Sequence, residues 1–269
     1  MNAALIESHD GVLFDLDGVL YRGAHAVPAA PQAVAQLKDM DRRCAFVTNN
    51  ASRSAEQIAA HLVELGIAAE PHDVYGSATA GVALMSQHLA PPAKVLVTGS
   101  DSLRELCSEA GYTVVESASD SPEAVIQGFD PDLGWKDLAE ASYAINNGAQ
   151  WFATNLDRSV PRENGIAPAN GALVEAVRFA TGAQPLAAGK PEPVMFSQAA
   201  ESLGLERPLV VGDRLDTDIL GGNRAGYTTA LVLTGATEEN QAHTATGHQR
   251  PHWILDTLED LFNGNHRSL

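Results

Sequence analysis

The chain is poor in cysteine, in aromatic residues, in basic residues and in long apolar runs, and each shortage excludes something. Two cysteines in 269 residues, Cys44 and Cys107, are too few for a disulfide framework and form no metal-ligand spacing. Buried, inert thiols are the expectation for both. Lys and Arg total 17 against 34 Asp and Glu, a formal charge of −17. Such a surface repels nucleic acid and anionic membranes, and Arg42-Arg43 is the only adjacent basic pair, so neither is an expected partner. No stretch approaches the roughly 20 apolar residues that a membrane-spanning helix needs. Residues 1–7 lack the basic and apolar pattern of a secretory signal, which makes the cytoplasm the expected location. Short repeats and low-complexity tracts are missing too. Residues 237–249, with His243 and His248, read as a solvated loop rather than a metal site.

What is present is an ordinary globular composition, 45% hydrophobic, long enough for one large α/β domain or a core with a smaller insert. Short apolar runs alternate with segments of helical period, the pattern of a mainly parallel sheet covered by helices. Val12-Leu13-Phe14, Ala45-Phe46-Val47, Val95-Leu96-Val97, Val125-Ile126, Trp151-Phe152-Ala153, Leu209-Val210-Val211, Ala230-Leu231-Val232-Leu233 and Trp253-Ile254 read as strands. Val34, Leu37 and Met40 share one helix face, as do Ile58, Leu62 and Leu65, with Gly66 past the end of the second helix. Leu103, Leu106 and Ala110 mark a helix ending at Gly111, and a further helix follows Gly189-Lys190-Pro191.

Three strands run directly into polar residues: Asp15, then Thr48-Asn49-Asn50, then Gly212-Asp213. Ligands of open α/β sheets bind outside the carboxyl ends of strands, so these residues could converge on one acidic site suited to a divalent cation. In Asp15-Leu16-Asp17-Gly18 two carboxylates one residue apart project to the same side of an extended chain, and Gly18 permits a sharp turn. An ordinary Asp-Gly turn is the alternative. Asp213, Asp216 and Asp218 fall within six residues, where a cation would relieve their repulsion; an acidic first helical turn explains them equally. Lys190 alone reads as a turn residue, and Thr48-Asn49-Asn50 alone as a cap or turn. Each signal is weak alone; the four in this order are strong together.

These motifs resemble those of the haloacid dehalogenase superfamily of phosphatases: Asp15-Leu16-Asp17-Gly18-Val19, Thr48-Asn49-Asn50, Gly189-Lys190-Pro191, and Gly212-Asp213 through Asp218. Tyr21-Arg22-Gly23, Ala153-Thr154-Asn155-Leu156-Asp157 and Gly212-Asp213-Arg214-Leu215 are similar to the NagD-like, or 4-nitrophenylphosphatase-like, branch. One departure is Ala169 in Pro168-Ala169-Asn170-Gly171, where relatives usually carry glycine. The resemblance implies a Rossmann-like parallel-sheet core, residues 1–79 and 187–269, with an inserted α/β cap of the C2 type at residues 80–186. It also implies a Mg²⁺-dependent phosphomonoester hydrolase. Asp15 would be the nucleophile and Asp17 the general acid and base. Lys190, Thr48 and Asn49 would hold the phosphoryl group, beside Asp15. Mg²⁺ would lie between Asp15, the main-chain carbonyl of Asp17 and Asp213, with Asp218 orienting a metal-bound water.

Thr48-Asn49-Asn50-Ala51-Ser52-Arg53-Ser54 and the segment from Gly171 to Gly182 look most like bacterial glycerol 3-phosphate phosphatases. Phosphoglycolate, pyridoxal phosphate and nucleoside monophosphates are the rival substrates, and a non-catalytic phosphate sensor on the same fold is the rival class. Intact Asp15, Asp17 and Lys190 speak against the sensor. Trp135, Trp151 and Phe152 are expected in cap–core packing rather than in substrate stacking. The expected assembly is a monomer or a cap-mediated homodimer.

Overall fold

Apolar runs too short for helices form the strands of two sheets. The computed structural model describes residues 3–162 and 164–269, in two α/β units. One unit comprises the chain up to Thr48 with residues 55–75 and 190–269; the other comprises 49–54 and 76–189.

The first sheet has seven strands in the order Arg267–Ser268, Trp253–Leu255, Thr228–Val232, Pro208–Gly212, Gly11–Phe14, Arg43–Thr48, Val74–Gly76. From Trp253–Leu255 through Arg43–Thr48 the strands run parallel, and the edge strand Arg267–Ser268 is antiparallel. Gly11–Phe14 and Pro208–Gly212 are buried at every position, as expected of parallel strands covered on both faces. Phe14, Phe46, Leu37 and Leu62 are fully buried in the core around them, each contributing about 1.5–3 kcal/mol. Helix Ala30–Asp39 turns Ala33, Val34 and Leu37 inward, and Ala55–Glu64 does so with Ile58, Ala59 and Leu62.

In the second unit a five-stranded parallel sheet has the order Leu186–Ala187, Gln150–Ala153, Ala124–Gln127, Lys94–Thr98, Thr113–Val115. Its two faces carry separate apolar clusters, one around Met85, Leu103 and Phe152 and one around Trp151, Val174 and Val177.

The structure corrects several expectations. Met40 lies just past its helix and is 40% exposed, because Asp41 adopts a left-handed φ of 54° and turns the chain toward the next strand. Residues 237–249 are not all loop: Glu239–Thr244 is helical with Ala242 buried, while His243 and His248 stay exposed. Trp151 and Phe152 pack inside the second unit, whereas Trp135 is 77% exposed. A division between residues 79 and 80 would cut helix Ser77–His88, and one between 186 and 187 would cut strand Leu186–Ala187; both elements go whole with the second unit.

Register positions the site. Phe14 stands opposite Val211 on one side and Phe46 on the other, so Asp15, Gly212 and Val47 emerge at one level on the carboxyl edge of the sheet. The first strand also separates the two directions of winding, the place where such sheets bind ligands.

Candidate active site

Asp15 extends the ladder by one bond, its amide donating to Val211 at 2.9 Å, so its side chain leaves the sheet from a fixed point. Lys190, 3% exposed, reaches it from the far end of the sequence. Its Nζ donates to Asp15 Oδ1 at 2.5 Å, to Asp218 Oδ1 at 2.7 Å and to the Val47 carbonyl at 3.1 Å. Asp218 is held by a π-helical turn, Leu215–Ile219, whose extra residue per turn is a frequent device at functional sites. The other oxygen of Asp218 accepts the Arg214 amide at 3.1 Å.

Asp213 follows the neighbouring strand. Its Oδ2 accepts the Ala236 amide at 2.6 Å, and its Oδ1 is buried with no hydrogen-bond partner among the described residues. Glycine is required around it. A side chain at Gly235 or Gly18 would overlap the Asp213 carboxylate, and Gly18 in addition holds φ at +88°; a side chain at Gly212 would overlap Asp218. The hydroxyl of Thr234 donates to the Gly18 carbonyl at 2.7 Å and ties the two loops together.

Asp15, Asp213 and Asp218 can each offer a carboxylate oxygen within 4.8 Å of the others, and all three are buried. Burial and the nearby charge of Asp218 push the Asp15 carboxyl well above the ordinary range, against the pull of Lys190. The same two causes push Asp213 up to about 7. Burial opposes the charge on Lys190, yet the two carboxylates bonded to it outweigh that and hold its ammonium above the usual lysine range. Lys190 is therefore a fixed cation at neutral pH. With all three carboxylates ionised, one buried cation leaves an excess of negative charge, which a metal ion beside the unpartnered Asp213 oxygen would relieve. An all-oxygen donor set without His or Cys suits a hard divalent ion.

The other expected residues divide. Thr48, 5% exposed, ends the strand next to Asp15. Asp17 is exposed on the turn that follows Asp15, and its carboxylate is outside the acidic cluster. Asp216 turns to solvent, where Arg214 pairs with it at 3.0 Å. Asn49 belongs to the second unit, where its amide donates to Asp157 Oδ1 at 2.9 Å. Three contributors escaped the sequence reading: the Val47 carbonyl, the Ala236 amide and Gly235. The first two are main-chain groups without a side-chain signal, whereas Thr234-Gly235 directly after a strand was legible as a loop at the sheet edge.

Two family models match, haloacid dehalogenase-like hydrolase over residues 12–113 and HAD-hydrolase-like over residues 187–261. The D-glycerol 3-phosphate phosphatase of Mycobacterium tuberculosis is 43% identical over 258 residues, covering 96% of this chain and 72% of that protein. The 5'-nucleotidase YutF of Bacillus subtilis is 35% identical, covering 95% of this chain and 98% of its own. A crystal structure of a glycerol phosphate phosphatase from M. tuberculosis in complex with magnesium superposes with a TM-score of 0.93 at 42% identity, over 98% of this chain and 79% of that one.

Proposed function

The chain belongs to the haloacid dehalogenase-like hydrolases, as a phosphatase of their NagD-like, 4-nitrophenylphosphatase-like branch, and from that premise we propose that it hydrolyses glycerol 3-phosphate to glycerol and phosphate with Mg²⁺ as cofactor. The chemistry rests on the buried Asp15–Lys190–Asp218 array. The substrate rests on the 43% identity to the glycerol 3-phosphate enzyme over nearly the whole chain.

Asp15 attacks the phosphorus: a bond forms from its carboxylate oxygen as the bond to the ester oxygen breaks, giving an aspartyl-phosphate. Asp17, in its acid form, protonates the departing alkoxide. Asp17, now a carboxylate, takes a proton from water as that water attacks phosphorus. Phosphate leaves and the Asp15 carboxylate returns. Lys190 and Thr48 hold phosphoryl oxygens, and the fixed Lys190 charge eases the approach of a dianion to Asp15. Asn49 is assigned to the same task by its motif. Asp15, the Asp17 carbonyl and Asp213 would hold the metal, and Asp218, already bonded to Lys190 and the Arg214 amide, would orient a water beside it. Bound Mg²⁺ supplies charge neutralisation for the carboxylates and the phosphoryl group.

Phosphate release from a panel of monoesters, with and without Mg²⁺ and beside Asp15→Asn, tests the reading. Metal-dependent preference for glycerol 3-phosphate supports it in full. A preference for a nucleoside monophosphate, phosphoglycolate or pyridoxal phosphate overturns the substrate. Wild-type turnover by Asp15→Asn overturns the nucleophile.

A further inference from the structure

The run Ala153-Thr154-Asn155-Leu156-Asp157 has no part in the chemistry above, yet Thr154 and Asn155 are buried and Asp157 is half-buried. Asn155, 3% exposed, donates from Nδ2 to the Asn49 carbonyl at 2.8 Å. Its Oδ1 accepts the Asp157 amide at 3.1 Å. Asp157 Oδ1 in turn accepts from Asn49 Nδ2 at 2.9 Å. These three bonds close a ring through Asn49, Asn155 and Asp157, and the ring fixes which way the Asn155 amide faces.

Other groups of the second unit reinforce the ring. Ser77, fully buried, donates its hydroxyl to the same Asn49 carbonyl at 2.8 Å. Ser100 donates to the Ala51 carbonyl at 3.0 Å. Asn170, also fully buried, donates to the Asn155 carbonyl at 2.8 Å. Gly189 packs against the ring so closely that an added Cβ would lie 2.7 Å from both Asn155 Cβ and Asn49 Oδ1. Asn49 is the residue after Thr48, and Gly189 is the residue before Lys190. A single side chain therefore touches both chain segments that lead into the phosphate-holding residues.

We propose that Asn155 is a positioning residue for phosphate binding: through the Asn49 carbonyl and Gly189 it fixes the main chain adjoining Thr48 and adjoining Lys190. The proposal rests on the phosphatase reading above. Its physical basis is that buried polar rings with every member satisfied permit one geometry, and that an error of about 1 Å in a reacting or binding group costs roughly a hundredfold. The Asn49 side chain is committed to this ring, so its share in phosphate binding falls to its main chain.

The test uses Asn155→Asp, which keeps volume and the Oδ1 acceptor but sets an oxygen against the Asn49 carbonyl, together with Ser77→Ala, which removes the second donor to that carbonyl and a longer bond, 3.4 Å, from Asn155 Nδ2. The readouts are kcat and KM for 4-nitrophenyl phosphate well below the unfolding transition, inhibition by inorganic phosphate, and half-saturation by Mg²⁺. Asn155→Asp is expected to lower kcat/KM and weaken phosphate binding by roughly ten- to a hundredfold, with Mg²⁺ half-saturation within about twofold of wild type. Ser77→Ala moves the same two quantities in the same direction by less. A purely structural role would lower the unfolding temperature and leave these constants alone. Unchanged phosphate inhibition and kcat/KM in folded Asn155→Asp, or in Ser77→Ala if the former does not fold, overturns the proposal. Failure of the phosphatase reading looks different: the wild-type protein itself would then release no phosphate from any monoester with Mg²⁺ present, whatever Asn155→Asp does to phosphate binding.

Discussion

Lys190 Nζ stands 2.7 Å from Asp218 Oδ1 while it also donates to Asp15, so one buried ammonium serves two buried carboxylates. Removing it strands both acids. Lys190→Met is expected to abolish turnover and to destabilise the metal-free protein by about 3–5 kcal/mol, the usual cost of unpairing a buried ion. Asp218→Asn leaves Lys190 paired with Asp15 and costs less. Urea unfolding of the two variants checks the order, and equal stabilities would contradict it.

Asp213, pushed up to about 7 by burial and by Asp218, links stability to pH and metal. Asp15 shifts in the same direction. With both raised above their unfolded values, the metal-free folded state holds protons that the unfolded chain releases. That contribution is complete below the ordinary carboxylate range and is lost as pH rises through about 7. The unfolding temperature in EDTA should therefore fall between pH 5 and pH 7.5, and Mg²⁺ should raise it more at the higher pH. Asp213→Asn should flatten the pH dependence and lose most of the Mg²⁺ response. An unchanged response in that variant would remove Asp213 from the metal site.

Gly235 leaves space for the Asp213 carboxylate and for nothing more. Gly235→Ala should displace that carboxylate from the Ala236 amide and weaken Mg²⁺ by ten- to a hundredfold, the range typical of lost ligand support. Gly134→Ala, whose added Cβ meets only Asp137 Oδ2 at 3.8 Å, serves as the control. Titration of activity with Mg²⁺ distinguishes the two.

Asp17 is exposed, so Asp17→Asn should alter stability by less than about 0.5 kcal/mol. Its effect on rate should depend on the leaving group: severe for an alkyl phosphate, milder for 4-nitrophenyl phosphate, whose leaving group needs no protonation. Equal losses on both esters would exclude the acid role.

Much of the fold was readable because parallel strands buried on both faces are short, uniformly apolar runs, as Gly11–Phe14 and Pro208–Gly212 are. Reading failed where neighbours decide. Met40 keeps the helical period but is turned out by the backbone at Asp41. Asp216 and Asp218 look alike in sequence, yet only Asp218 is carried inward by the π-helical turn. Trp135 has the composition of a packing residue and stands exposed.

The sequence alone sufficed for the fold class and for the strand ends that bear Asp15, Thr48 and Asp213, because these depend on local period and residue type, whereas Lys190 stood out only beside the other motifs. Only the tertiary structure decided that Lys190 meets Asp15 across 175 residues, that Asp213 keeps one oxygen unpaired, and that Asn155 grips Asn49. Those outcomes follow from sheet register and from which groups burial leaves without water. Both are properties of the packed chain, and no local pattern encodes them.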